Sequence, residues 1–285
     1  MAVRLETPET GAVRIDGHEL STLRRGERRA QTTQIQLVPQ DAAAALDPRV
    51  TIGASIAEPL VIHRRGTAAE QEVRVAALLG EVGLDPSLAD RYPHQLSGGQ
   101  RQRVVIARAL ALEPRVLIAD EPVSALDVSV RAQVLNLLQD IQRKRSFALL
   151  VISHDLAVVR TITERINVMY LGRIVESGRT ADVIDNPAHP YTAALVAAFP
   201  DPDPAARDRR RAPTGEVPSP VDLPAGCSFA GRCPVVHEDC RIVDPLIESP
   251  LVTQSALSGV ACLHPLNPLA PTSGRTDGSS APISG

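Results

Sequence analysis

The run Leu96–Asp127, LSGGQRQRVVIARALALEPRVLIADEPVSALD, decides how the rest of the chain is read. Ser97 is a residue type that caps helix N-termini, and Gly98 and Gly99 let backbone N–H groups come close to an anion. A helix starting here turns its positive end toward a phosphate. Val105, Ala109 and Leu112 recur at helical spacing and predict one buried face, with Arg101, Gln102, Arg108 and Glu113 left in water. Pro114 is expected to stop the helix. The apolar run Val116–Ala119 then predicts a strand buried on both faces of a parallel sheet. It ends in Asp120 and Glu121, at the strand end where open α/β sheets bind ligands.

Taken singly, SGGQ is an ordinary loop and an Asp-Glu pair after an apolar run is a solvated strand end. Together, and followed by Ser124-Ala125-Leu126-Asp127, they resemble the LSGGQ signature, the Walker B strand with its adjoining glutamate, and the D-loop of ABC-transporter ATPases. The resemblance implies an α/β fold: a P-loop NTPase core with an inserted helical subdomain. It also implies two such domains meeting head to tail, each ATP held between one domain's Walker A and the other's LSGGQ. Glu121 would then be the general base and Asp120 would hold Mg²⁺ through water. Ser97, Gly98, Gly99 and Gln100, with Asp127 of the D-loop, would complete the partner's nucleotide site.

With 285 residues the chain can bury an α/β core and still carry an appendage. A net charge of -3 offers no electrostatic footprint for nucleic acid, and three Tyr, three Phe and no Trp offer no platform for stacking bases. No apolar run approaches the length of a membrane span. Its sole lysine is Lys144, at the end of a predicted helix, and the 285 residues hold no GxxxxGK[ST], the motif whose glycines and lysine cradle phosphates. Met1–Glu6 reads as the tail of a helix, and Ala12–Ile15 as a strand before an Asp16-Gly17 turn. In ABC ATPases a similar stretch follows the Walker A helix. The expectation is a GxxxxGK[ST] encoded within about ten codons upstream of an internal methionine start. A gene that has lost its 5′ end is the alternative.

Gln34–Val38 predicts a strand, and Gln40 after it resembles the Q-loop glutamine, whose side chain would reach Mg²⁺ or the attacking water. The sequence departs from the family at Pro39, where an aromatic residue is common, and at Ala42, where proline is. Ile52–Ile62 and Ala68–Val82 predict two helices, the second capped by Gly83, resembling the helical subdomain of peptide-importer ATPases. A helix over Val128–Arg143 with Val130, Val134, Leu137 and Ile141 on its buried face follows the D-loop. The strand Phe147–Ile152 leads to His154, which resembles the H-loop histidine that contacts the γ-phosphate. Strands over Arg165–Tyr170 and Arg173–Glu176 form a hairpin through Leu171-Gly172, and a short helix ends near Phe199.

Thirteen of the 24 prolines fall after Pro200, so residues 201–226 read as an extended linker. Cys227, Cys233, Cys240 and Cys262 lie in the tail, separated by five, six and twenty-one residues. Four thiolates can hold zinc or an iron-sulfur cluster, and without paired CxxC motifs a zinc ribbon is not indicated. The segment resembles the C-terminal extension of oligopeptide/dipeptide transport ATPases, members of which bind a [4Fe-4S] cluster through such cysteines. Residues from about Leu266 onward are rich in Ser, Gly and Pro and are expected to be disordered.

The division implied is 1–40 for the remainder of the N-terminal core, 41–113 for the helical subdomain, 114–200 for the rest of the core, 201–265 for the extension and 266–285 for the tail. The resemblance implies an ATPase subunit of an oligopeptide or dipeptide importer at the cytoplasmic face of the membrane. Its partners would be a second ABC ATPase subunit, two transmembrane permease subunits and, indirectly, an extracytoplasmic solute-binding protein. Alternatives are a defective subunit lending only its LSGGQ, an importer ATPase of the same branch for nickel or another small solute, and a soluble ABC protein of repair or translation.

Overall fold

The computed structural model describes residues 9–15, 17–198, 215–219, 221–246 and 258–267. The helix tail expected over Met1–Glu6, most of the 201–226 linker and most of the 266–285 tail lie outside them. The chain divides into two compact units, Met1–Val158 and Val159–Gly285.

In the first unit a short antiparallel pair, β1 (Arg14–Ile15) and β2 (His18–Glu19), precedes α1 (Arg25–Gln34) and β3 (Ile35–Val38). A parallel sheet runs β3-β4-β5, with β4 (Val116–Asp120) central and β5 (Ala148–Ile152) beside it. Leu117 and Ala119 of β4 are fully buried, so the apolar run is a central strand. The helices α2 (Ile52–Ile62) and α3 (Ala68–Glu81) start where threonines cap them: Thr51 accepts the Ala54 N–H, and Thr67 forms a reciprocal box with Glu70. Both pack on α4 (Gly98–Leu110), and α5 (Val128–Arg145) packs on α4 as well. Ile52, Ile56, Leu78, Leu79, Ile106 and Leu110 are fully buried, each worth about 2 kcal/mol over exposure. Arg108 of α4 pairs with Glu58 of α2 and donates to the Ala45 carbonyl at 2.8 Å.

Three expectations are corrected here. Gln102 is buried rather than wet, because α2, α3, α5 and β3 all pack against α4 and leave it little open face. The helix ends at Leu110, before Pro114, and Glu113 turns the chain in the left-handed region at φ 53°. On α5 the buried set is Val134, Leu135, Leu138 and Ile141, so Leu138 rather than Leu137 faces inward.

The second unit contains the antiparallel hairpin β6 (Arg165–Tyr170) and β7 (Arg173–Arg179). Its turn residues Leu171 and Gly172 both have positive φ, 46° and 79°, matching the right-handed twist of the strands. After it come α7 (Thr180–Asp185), α8 (Pro190–Ala197) and β8 (Gly259–Val260), which pairs with β7. A helix α6 (Leu156–Ile162) spans the division between units. Phe229 is 1% exposed and meets Tyr170 and Tyr191 edge-on at 5.4 and 5.5 Å. The buried Glu176 carboxylate accepts the backbone N–H groups of Ala188 at 2.8 Å and His189 at 2.9 Å. Among the described residues no helix is long and apolar enough to cross a membrane.

Candidate functional site

Three consecutive parallel strands each release a polar residue just past their carboxyl ends: Gln40 after β3, Glu121 after β4 and His154 after β5. Adjacent strand ends lie close together, so the three side chains converge. Gln40 Nε2 donates to Glu121 Oε2 at 2.8 Å, and His154 Nδ1 lies 2.7 Å from Glu121 Oε1. Both carboxylate oxygens are thereby engaged. The Glu121 side chain is 22% exposed and that of His154 74%, so the carboxylate is recessed beneath an outward imidazole.

Glu121 adopts a left-handed backbone, φ 44°, unusual for a side chain branching beyond Cβ. Its N–H donates to the Ile152 carbonyl at 2.9 Å, and its own carbonyl accepts the Ser124 N–H and hydroxyl at 3.2 and 3.1 Å. Backbone held against its preference from both sides fixes where the carboxylate points. Asp120 ends β4 immediately before it, half-buried.

A second group forms the start of α4. Ser97 Oγ accepts the Gln100 N–H at 3.3 Å, and Gln100 Oε1 accepts the Ser97 N–H at 2.9 Å. Arg101 donates to the Leu96 carbonyl at 2.7 Å and fixes the loop entering the helix. A Cβ on Gly98 would stand 3.7 Å from Leu126, while one on Gly99 would overlap Val130 Cγ1. The first turn of α4 therefore lies against the D-loop and the start of α5, where Asp127 is the N-cap residue and its carbonyl accepts the Arg131 N–H at 2.8 Å. Arg131 also pairs with Asp155 at 2.8 Å, next to His154. No hydrogen bond joins the Ser97–Gln100 group to the Glu121 group among the described residues, so the expected site residues fall into two clusters.

In the second unit the four cysteines line one cavity, together with His189, Phe229 and His264. The Cys227 N–H donates to the Cys240 carbonyl at 2.8 Å, and Gly226 leaves no room for a Cβ against that carbonyl. Burial pushes the Cys233 and Cys262 thiols above their ordinary range, and the other cysteines add to it. His264 lines the cavity as well, and its Nε2 lies 2.8 Å from Asp239 Oδ2, a carboxylate within 4.8 Å of the Cys240 sulfur.

Residues 1–124 match the family model "ABC transporter", and residues 175–240 match "Oligopeptide/dipeptide transporter, C-terminal region". The chain is 48% identical over 250 residues to the oligopeptide transport ATP-binding protein OppF of Escherichia coli, covering 87% of this chain and 73% of that protein. It is 48% identical to a putative peptide import ATP-binding protein of Brucella ovis, over 85% of this chain and 77% of the relative. Among solved structures it resembles the ATP-binding cassette MJ0796 in a dimeric post-hydrolysis state with ADP and phosphate, at a TM-score of 0.55 and 32% identity, covering 62% and 76% of the two chains. It also resembles CbiO1 of Clostridium perfringens, part of the CbiONQ transporter complex, at a TM-score of 0.59 and 26% identity over 65% and 72%.

Proposed function

Because the chain belongs to the ATP-binding proteins of oligopeptide and dipeptide ABC transporters, we propose that the cluster of Gln40, Glu121 and His154 is its hydrolytic centre. The observation carrying this reading is the single carboxylate of Glu121, held by a strained backbone and addressed by an amide and an imidazole from two other strand ends. Glu121 takes the proton of the attacking water as general base. Gln40, which now occupies one of its oxygens, turns to the water or the metal, and His154 orients the γ-phosphate. Asp120, at the strand end beside them, would hold Mg²⁺, which would supply positive charge against the phosphates. Ser97, Gly98, Gly99 and Gln100 present the positive end of α4, with Asp127 beside them, to the nucleotide of a second ATPase subunit.

Nucleotide binding across that pair favours the closed state, and closure moves two permease subunits that pass peptide inward from an extracytoplasmic solute-binding protein. The subunit then sits at the cytoplasmic face of the membrane. We propose that these roles divide the chain at residues 40, 113, 200 and 265. In the assembled importer, Glu121→Gln is expected to keep ATP binding while turnover falls about 10²- to 10⁴-fold. Wild-type turnover in that variant would remove Glu121 from the chemistry.

For the extension we infer a [4Fe-4S] cluster on Cys227, Cys233, Cys240 and Cys262. The shared cavity supports it. Such a cluster would supply cross-links to a segment with few apolar residues of its own.

A further inference from the structure

We propose that the Nε2–H of His189 donates a hydrogen bond to a sulfur of the four-cysteine centre and so acts as a positioning residue that sets its reduction potential. This rests on the cluster reading of the extension. His189 is 1% exposed, and its ring lines the same cavity as all four cysteines. Its Nδ1 accepts the Tyr191 N–H at 3.0 Å and caps the start of α8. A nitrogen that accepts from a backbone amide carries no proton, so the ring bears its single N–H at Nε2, on the edge turned away from that amide.

The surroundings hold that orientation. The fully buried Glu176 of β7 accepts the backbone N–H groups of Ala188 at 2.8 Å and His189 at 2.9 Å, which fixes the chain where the ring begins. Phe229 packs against the imidazole at 6.0 Å between ring centroids and 52° between planes. Turning the ring over would give up the Tyr191 bond. The other lining imidazole, His264, has its Nε2 on the Asp239 carboxylate at 2.8 Å. Much of the remaining wall is apolar, Phe229, Val235 and Leu263 among it. A buried N–H in such a wall is costly to leave unpaired, and the cysteines supply sulfur as an acceptor. Thiolates in a low-dielectric cavity gain most from a donor when the centre is most negative, that is, after it takes up an electron. The bond therefore raises the reduction potential. One electron arrives from an external reductant, no covalent bond breaks and the Nε2 proton stays on the ring.

The full chain is purified anaerobically, assayed for iron and titrated with dithionite while the cluster is followed by electron paramagnetic resonance. His189→Asn keeps an oxygen acceptor for the Tyr191 N–H but is too short to bring a donor to the cavity. It is expected to retain its iron while the reduction equilibrium moves about tenfold toward the oxidised form, a fall of about 59 mV for one electron. His189→Gln sets an amide N–H where Nε2 stood and recovers most of the shift, which a merely structural role would not do. Wild-type chain labelled with ¹⁵N-histidine reads the contact without touching residue 189: one imidazole nitrogen couples weakly to the reduced cluster, and the coupling persists in His264→Gln. An iron-loaded His189→Asn with the wild-type potential, a His189→Gln that recovers nothing, or a coupling that is absent or lost with His264 overturns the proposal and leaves the cluster reading intact. Iron-free wild type overturns both.

Discussion

Gly99 and Val130 touch in a way that excludes any side chain at position 99: a Cβ there would overlap Val130 Cγ1. The glycine we propose to admit an anion to the helix is therefore also needed for α4 to approach α5. Valine is stiff at χ1 and cannot swing aside without leaving its helical rotamer. Gly99→Ala is expected to destabilise the chain by about 1–3 kcal/mol through overpacking. Val130→Ala added to it recovers most of that loss. A denaturant-melt double-mutant cycle measures the coupling, and additive effects would mean the two residues do not meet.

Arg131 in the first turn of α5 pairs with Asp155, the residue after His154. Asp155 also accepts the Ala157 N–H at 2.9 Å, so its carboxylate anchors the start of α6 as well. Releasing it loosens the loop that carries the imidazole without touching nucleotide. Arg131→Met is expected to lower kcat of the assembled ATPase about 10- to 100-fold, the scale of a small misplacement of a catalytic group, with KM for ATP little changed. A rise in KM with kcat intact would assign Arg131 to binding instead.

The centre of the fold was legible because its signals are local. Ser97 and Gln100 do form the capping box that starts α4, and the apolar run before Asp120 is a central strand. Gln40, Glu121 and His154 each follow such a strand: periodicity located the strands, and the resemblance to ABC ATPases singled out the residues after them. What escaped depends on neighbours. Gln102 has the side chain of a solvated residue, and only the elements crowding α4 bury it. Helix α1, RGERRAQTTQ, is polar almost throughout and offers no apolar stripe. The two-residue β8 exists through its pairing with β7, more than eighty residues earlier in the chain. That return carries Cys262 to the cavity with the other three cysteines, and His264 with it.

The four-cysteine cavity predicts a colour. Anaerobically purified full chain is expected to absorb in the visible and to contain about four iron atoms, as a cubane on four thiolates requires. Cys233→Ser should bleach it and lower the melting temperature, since removing the cross-link frees a segment that has little apolar core. Colourless, iron-free protein under those conditions would dismiss the cluster.

His189 gives the second unit a pH dependence with a definite sign. Its ring is 1% exposed, and its Nδ1 accepts the Tyr191 N–H at 3.0 Å. Burial lowers its pKa from 6.5 to about 4, so the folded chain holds it neutral where the unfolded chain is protonated. Between those values the unfolded state binds the extra proton, and stability falls as the pH falls. The loss starts near pH 6.5 and is complete near pH 4, amounting to about 3 kcal/mol at 1.36 kcal/mol per pH unit. Asp47, Glu70 and Asp85, whose carboxyls hydrogen bonds hold below the usual range, lose their contributions only at lower pH. Denaturant melts across this window should therefore show a slope that His189→Asn flattens. A slope unchanged in that variant would place the titrating group elsewhere.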